Sequence, residues 1–301
     1  MSEELAEVID ISQSSNEEET ASAPKPEATS KLRVGIIGNN ILAKASEIAF
    51  NTKSNDLKLI DRYTDIDSLV EWKPTLAVIC DDIDILKNDT LDDTDFLTAV
   101  NKLVKQIGCA ICIRTTLNLE VIERLIGSLG KDLFDAKIIY MPELSDSTNI
   151  GEILTAEVTV VGGGEKSIPA FLHLIHHTSH LSSQNILTGT VFEVAYAKLG
   201  VAGFKAVKQT YFNQLYDTIL DVKNANPSIV RRMMEKCPDI VDRSVMIPTF
   251  IRAHIEEDIS YKQARAYGGE YLNRDVRMLV GMSDKLPLVD ECVNFKNLKD
   301  Q

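Results

Sequence analysis

Short, nearly continuous apolar runs alternating with segments of helical periodicity constrain this chain more than any other feature of its sequence. Strand-like runs lie at 32–37, 57–60, 76–80, 109–113, 136–140 and 158–161, and helix-like segments at 42–50, 95–106, 119–129 and 168–181. Strands apolar on both faces must be covered on both faces, and the helices between them supply the cover. The pattern therefore predicts a mostly parallel, doubly wound α/β sheet. Beyond about residue 188 the periodicity is helical, at 191–224, 227–236, 273–283 and 286–295. The expected organisation is a sheet domain over 31–187 followed by an all-helical domain over 188–301.

Residues 1–30 have a different character. They are rich in Ser, Glu, Ala and Pro, and set eight acidic residues against one basic, a net of −7 within a chain total of −13. So little apolar surface cannot offset ordering entropy, and a disordered acidic tail is expected. Inside it, Glu7-Val8-Ile9-Asp10-Ile11-Ser12 is a β-prone run of the kind that adds a strand to a partner's sheet edge, which makes a protein partner for the tail an expectation. The remaining body is mildly acidic and lacks the basic footprint that phosphate backbones attract, so nucleic acid is not expected as a partner. Nor is a membrane: no apolar run approaches the roughly 18 residues of a span, and the acidic N-terminus does not read as a secretory signal. The five cysteines, Cys80, Cys109, Cys112, Cys237 and Cys292, are odd in number and scattered, as reduced thiols are. Together these features predict a cytoplasmic protein.

At the end of the first strand run, Gly35-Ile36-Ile37-Gly38-Asn39-Asn40-Ile41-Leu42-Ala43 leads into the first helix. A dinucleotide-binding turn of the Rossmann type belongs at this place. Its second glycine lets the backbone approach the pyrophosphate, and its third allows close helix packing. Here Ala43 takes the third place and Asn40 the second. Asn40 adds a side chain where phosphates approach, although asparagine tolerates left-handed backbone better than most residues. Asp61, 23 residues after Gly38, sits where a carboxylate binds the adenine ribose. Gly35, Gly38, Asn39, Asn40 and Asp61 are the candidate cofactor residues, with NAD as the candidate cofactor, weakened by the missing glycine.

Further segments follow in order. Val78-Ile79-Cys80-Asp81-Asp82 precedes Asp93-Thr94-Asp95-Phe96; then come Arg114-Thr115-Thr116-Leu117, Pro142-Glu143-Leu144-Ser145-Asp146-Ser147 and Glu157-Val158-Thr159-Val160-Val161-Gly162-Gly163. Lys198 stands fifteen residues before Asn213-Gln214-Leu215, and Gly268-Gly269-Glu270-Tyr271-Leu272-Asn273-Arg274-Asp275 closes the series. In this order the chain resembles the nucleotide-sugar dehydrogenases typified by UDP-glucose dehydrogenase. The likeness runs over roughly residues 31–300.

That resemblance implies the family's fold, a helical central domain whose long helix is the dimer seam, and hence a homodimer here. It implies a remnant catalytic site of Lys198, Asp275, Tyr271 and Arg274, with Thr116 beside the cofactor. Family members oxidise a sugar alcohol to a carboxylate through a cysteine-bound intermediate, and Tyr271 occupies the cysteine's place. A phenol with pKa near 10 is largely protonated at neutral pH and is a poor substitute. The family's glutamate falls on Ser147 and its asparagine on Ala202, and the chain ends at Gln301, where the family's uridine-diphosphate domain begins. The expectation is a protein unable to complete the oxidation of UDP-glucose to UDP-glucuronate, acting as a nucleotide-binding, interaction or structural protein. The alternative is an active NAD-dependent oxidoreductase on another alcohol or sugar nucleotide.

Other clusters have simpler readings. His173, His176, His177 and His180 share one face of a predicted helix. Their i, i+4 pairs offer ligands to zinc or nickel, but an exposed polar face explains the same spacing and no metal is expected. Cys109-Ala110-Ile111-Cys112 matches C-x-x-C but lies in an apolar strand run, which points to core packing rather than redox chemistry. The acidic run Glu256, Glu257 and Asp258 reads as a solvated face.

Overall fold

A seven-stranded sheet forms the centre of the molecule, with strand order β2-β1-β3-β6-β7-β8-β9. The computed structural model describes residues 31–85, 91–144, 149–181, 185–234, 236 and 270–300; the acidic tail with its 7–12 run, Ser147, Cys237, the 256–258 acidic run and the Gly268-Gly269 pair lie outside the described residues. The strands are β1 (Leu32–Ile37), β2 (Asn55–Ile60), β3 (Leu76–Ile79), β6 (Ala110–Ile113), β7 (Ile138–Tyr140), β8 (Val158–Gly163) and β9 (Asn185–Gly189). A small antiparallel pair, β4 (Asp84–Ile85) and β5 (Leu91–Asp92), lies outside the main sheet. The first five main-sheet strands in the order run parallel, with Val34 beside Leu57 and Leu76, and Val78 beside Cys112.

Both faces are covered, as the apolar runs require. Helix α1 (Ile41–Phe50) and α7 (Ser167–Thr178) bury Ala43, Phe50, Phe171 and Ile175 against Val34, Ile36 and Val78 on one face, with α6 (Ile150–Leu154) beside them. On the other face, α2 (Ile66–Trp72), α3 (Thr94–Asn101), α4 (Leu119–Leu129) and α5 (Lys131–Lys137) bury Leu69, Phe96, Ile122 and Phe134 against Ile37, Ile79 and Ile113. Side-chain caps set the helix starts. Asn40 Oδ1 accepts from the Ala43 amide at 3.0 Å, and Asn118 Oδ1 from the Val121 amide at 2.9 Å.

Strand direction reverses at β8, and this positions the site. β8 runs against β7, with Tyr140 opposite Gly162, and β9 runs parallel to β8. The chain thus leaves β9 at the N-terminal edge of the parallel strands. The long helix α8 (Val191–Leu220) then climbs back along the sheet, held at its start by a Thr190–Glu193 capping box. A Cβ on Gly162 would lie 2.9 Å from Val191 Cα and 3.0 Å from Thr190 O, so only glycine lets the helix pass so close to the strand. Lys198, seven residues into α8, is about 10 Å further along its axis.

Helix α8 belongs to two cores. Val191, Val194 and Ala195 pack with the sheet, whereas Leu199, Ala202 and Ala206 pack with Leu272, Val276 and Leu279 of α10 (Glu270–Gly281) and Val289 of α11 (Pro287–Asp300). Ala202, where the resemblance places an asparagine, is therefore an apolar packing residue. Helix α9 (Pro227–Met234) follows α8.

Two strand expectations are corrected. Residues 136 and 137 belong to α5, so the run expected at 136–140 is strand only from Ile138. β9 was not expected; it is the exposed last strand of the main sheet, held by its ladder to β8 rather than by side-chain burial.

Candidate functional site

Open α/β sheets bind ligands beyond the C-terminal ends of their parallel strands. The polar residues predicted from the sequence meet at that edge. Lys198 Nζ lies 3.1 Å from Asp275 Oδ2, and both side chains are buried. Asp275 Oδ1 accepts from Arg274 Nε and Nη2, each at 3.3 Å, and Arg274 Nη2 also reaches Thr116 Oγ1 at 3.4 Å. Arg274 Nη1 donates to Asp82 Oδ1 in a short ion pair. Burial acts to discharge Arg274, but the Asp82 and Asp275 carboxylates outweigh it and raise the guanidinium pKa further.

Asp82 is the member of this network that sequence reasoning did not assign. Besides Arg274, its Oδ1 accepts from Thr115 Oγ1 at 3.4 Å and its Oδ2 from Asn40 Nδ2 at 3.5 Å. The available signal was a pair of acids immediately after a buried strand. Arg114 and Glu143 form another unassigned pair, at 3.5 Å, with Arg114 Nη1 donating to Ser46 Oγ at 3.0 Å.

Gly38 takes a positive φ of +124° at the turn. Asn40, by contrast, is not left-handed; its φ of −78° and ψ of −176° are those of an extended N-cap. Its side chain satisfies the Ala43 amide and donates to Cys80 O at 2.6 Å, pinning the β3 loop to the start of α1. Gly35 is buried within β1, Asn39 is exposed, and Asp61 is exposed just beyond β2. Tyr271 is 47% exposed, its ring centroid 5.2 Å from Arg274 Cζ, so it lies over the network rather than inside it.

The remaining clusters lie elsewhere. Cys80, Cys109, Cys112 and Cys292 are free and buried. Burial pushes the Cys109 and Cys112 thiols up to about 12, far from the low values of reactive thiols. The His173 and His177 ring centroids lie 4.5 Å apart with the planes tilted by 59°, and those of His176 and His177 lie 4.9 Å apart. Among the described residues no group of three or more potential metal ligands forms. Among those residues, too, no helix is long and apolar enough to cross a membrane.

No protein-family model matches the chain, and no curated protein sequence does. Solved structures do. The UDP-glucose dehydrogenase of Pyrobaculum islandicum matches with a TM-score of 0.67 at 11% identity, over 92% of this chain and 70% of that one. The UDP-D-ManNAc dehydrogenase of Pyrococcus horikoshii matches with a TM-score of 0.64 at 14% identity, over 89% of this chain and 69% of that one. Psf3, in complex with NADP+ and 2-OPP, matches with a TM-score of 0.55 at 12% identity, over 89% of this chain and 94% of that one. The chain has the fold of the nucleotide-sugar dehydrogenases.

Proposed function

We propose that the chain is a nucleotide-sugar-dehydrogenase-like protein that does not complete the alcohol-to-carboxylate oxidation and acts as a dimeric nucleotide-binding protein. Tyr271 carries this reading. Four-electron oxidation through an enzyme-bound acyl group needs a nucleophile that is anionic near neutral pH. The place the resemblance assigns to that nucleophile holds a half-exposed phenol over a guanidinium already engaged by two carboxylates. Incubated with NAD and UDP-glucose, the protein is expected to form no UDP-glucuronate by mass spectrometry. Formation of the glucuronate with two molecules of NADH per sugar would overturn the reading.

The buried Lys198–Asp275 pair favours a second reading, in which a single alcohol oxidation survives and the Lys198 ammonium stabilises developing alkoxide charge. Trapping an aldehyde product that disappears in Lys198→Ala would establish it.

NAD is the nucleotide to test first, and its two halves fare differently. Asp61 is exposed at the end of β2, where the fingerprint places the ribose. The pyrophosphate does not fit the arrangement as it stands. Asn40 caps the helix terminus where phosphates approach, and Asp82 adds a carboxylate beside it.

Dimerisation through α8 is supported by its outward face. Tyr196, Phe204 and Tyr211 recur at helical spacing and are 50%, 65% and 54% exposed, an aromatic stripe that suits a self-complementary contact. Phe204→Glu is expected to convert a dimer to a monomer in sedimentation equilibrium while leaving the fold intact by circular dichroism. A monomeric parent protein would remove this part of the proposal.

A further inference from the structure

We propose that Asp82 is an internal anion that latches the nucleotide crevice, and that a ligand phosphoryl group binds by taking its place on Arg274, Thr115 and Asn40. The inference rests on the nucleotide-binding reading above and adds the condition under which the crevice opens.

Three donors from separate parts of the chain converge on the Asp82 carboxylate. Arg274 Nη1 comes from α10, Thr115 Oγ1 from the loop after β6 at 3.4 Å, and Asn40 Nδ2 from the α1 cap at 3.5 Å. A guanidinium, a hydroxyl and an amide around one oxyanion form a donor set that serves a phosphoryl group equally well. Asn40 follows β1, Asp82 follows β3 and Thr115 follows β6, so the cluster lies at the edge at which open α/β sheets receive ligands. Asp82 is more accessible than the cation it pairs with, its side chain 32% exposed against 13% for Arg274, so it can swing outward while the cation stays in place.

Charge decides what replaces it. Among the described residues, the ion-paired groups of this cluster are matched, Asp82 and Asp275 against Arg274 and Lys198. Moving Asp82 away leaves Asp275 shared between two cations and one positive charge in excess, in a setting too buried for water to screen it fully. An incoming phosphoryl oxyanion restores the balance. The same movement frees Asn40 Nδ2 of one of its two acceptors, leaving Cys80 O.

The test uses inorganic pyrophosphate and, separately, NAD, titrated calorimetrically into the full chain and its variants. Asp82→Asn removes the internal charge at constant shape and is expected to tighten pyrophosphate binding about tenfold or more. Adding Arg274→Gln should abolish the gain. Asp82→Ser replaces the asparagine variant if that one fails to melt cooperatively. Equal pyrophosphate affinity in parent and Asp82 variants would overturn the latch, as would a gain that survives Arg274→Gln. Tighter pyrophosphate binding with no NAD binding in any variant would uphold the latch and dispose of the dinucleotide reading. NAD and pyrophosphate binding equally well to the parent and to the Asp82→Asn variant would do the reverse.

Discussion

Asp275→Ala is expected to lower folding stability by about 3–5 kcal/mol, measured by denaturant unfolding. Asp275 is almost wholly buried, its side chain 2% exposed, and it accepts from Arg274 on one oxygen while pairing with Lys198 on the other. Lys198, at 8% exposure, has no other ion pair among the described residues, so the truncation leaves an ammonium in the interior with its desolvation unrelieved. The double variant Lys198→Met/Asp275→Leu should recover most of the loss, because two apolar side chains of similar size carry no charge to solvate. Lys31 and Asp56 are the control: their side chains are 56% and 53% exposed, and Asp56→Ala is expected to cost about 0–1 kcal/mol. If Asp275→Ala costs no more than Asp56→Ala, the pair at the crevice is solvated, and the charge balance assigned to the site is wrong. The comparison also separates a structural role from a chemical one, since the double variant should fold yet lack the Lys198 ammonium to which the second reading assigns alkoxide stabilisation.

Much of the scaffold was legible because burial on both faces writes itself into short apolar runs. The first strand and α4 occupy the residues that the pattern predicts, 32–37 and 119–129. β9 escaped because it buries almost nothing: Ile186 and Leu187 are 42% and 59% exposed, and backbone pairing alone defines the strand. The reversal at β8 has no local signature either, since a strand's direction depends on how the chain returns to the sheet and not on its own side chains. At the site the division is similar. Lys198, Arg274, Asp275 and Thr116 could be found by motif order, and the structure joins them. Asp82 could not, because its strongest partner lies 192 residues away in sequence, and only the climb of α8 and its packing with α10 bring them together. The sequence presents Asn40 as a side chain in the path of the phosphates, where glycine belongs. Its actual part is that of a cap and a strut, set by the Ala43 amide on one side and by acceptors in the loop after β3 on the other.

Gly38→Ala should cost about 2–4 kcal/mol and loosen the crevice at the same time. Two penalties combine at this position. The φ of +124° lies where an L side chain is strained, and an added Cβ would stand 2.8 Å from Asp81 N and 3.1 Å from Asp81 Cα and Cys80 C. Those contacts are backbone, which cannot rotate aside, so the β3 loop must move away from β1. That loop carries Asp82 and the Cys80 carbonyl to which Asn40 donates, and moving it therefore stretches the 2.6 Å strut and the latch together. Gly127 gives the opposite case: it lies inside α4 with nothing within 4 Å of an added Cβ, and Gly127→Ala should raise stability by about 0.5–1 kcal/mol through helix propensity alone. Thermal unfolding of the two variants should thus diverge in sign. If Gly38→Ala melted with the parent protein, the β1 and β3 loops would not be in backbone contact, and the account of how the crevice is held shut would lose its foundation.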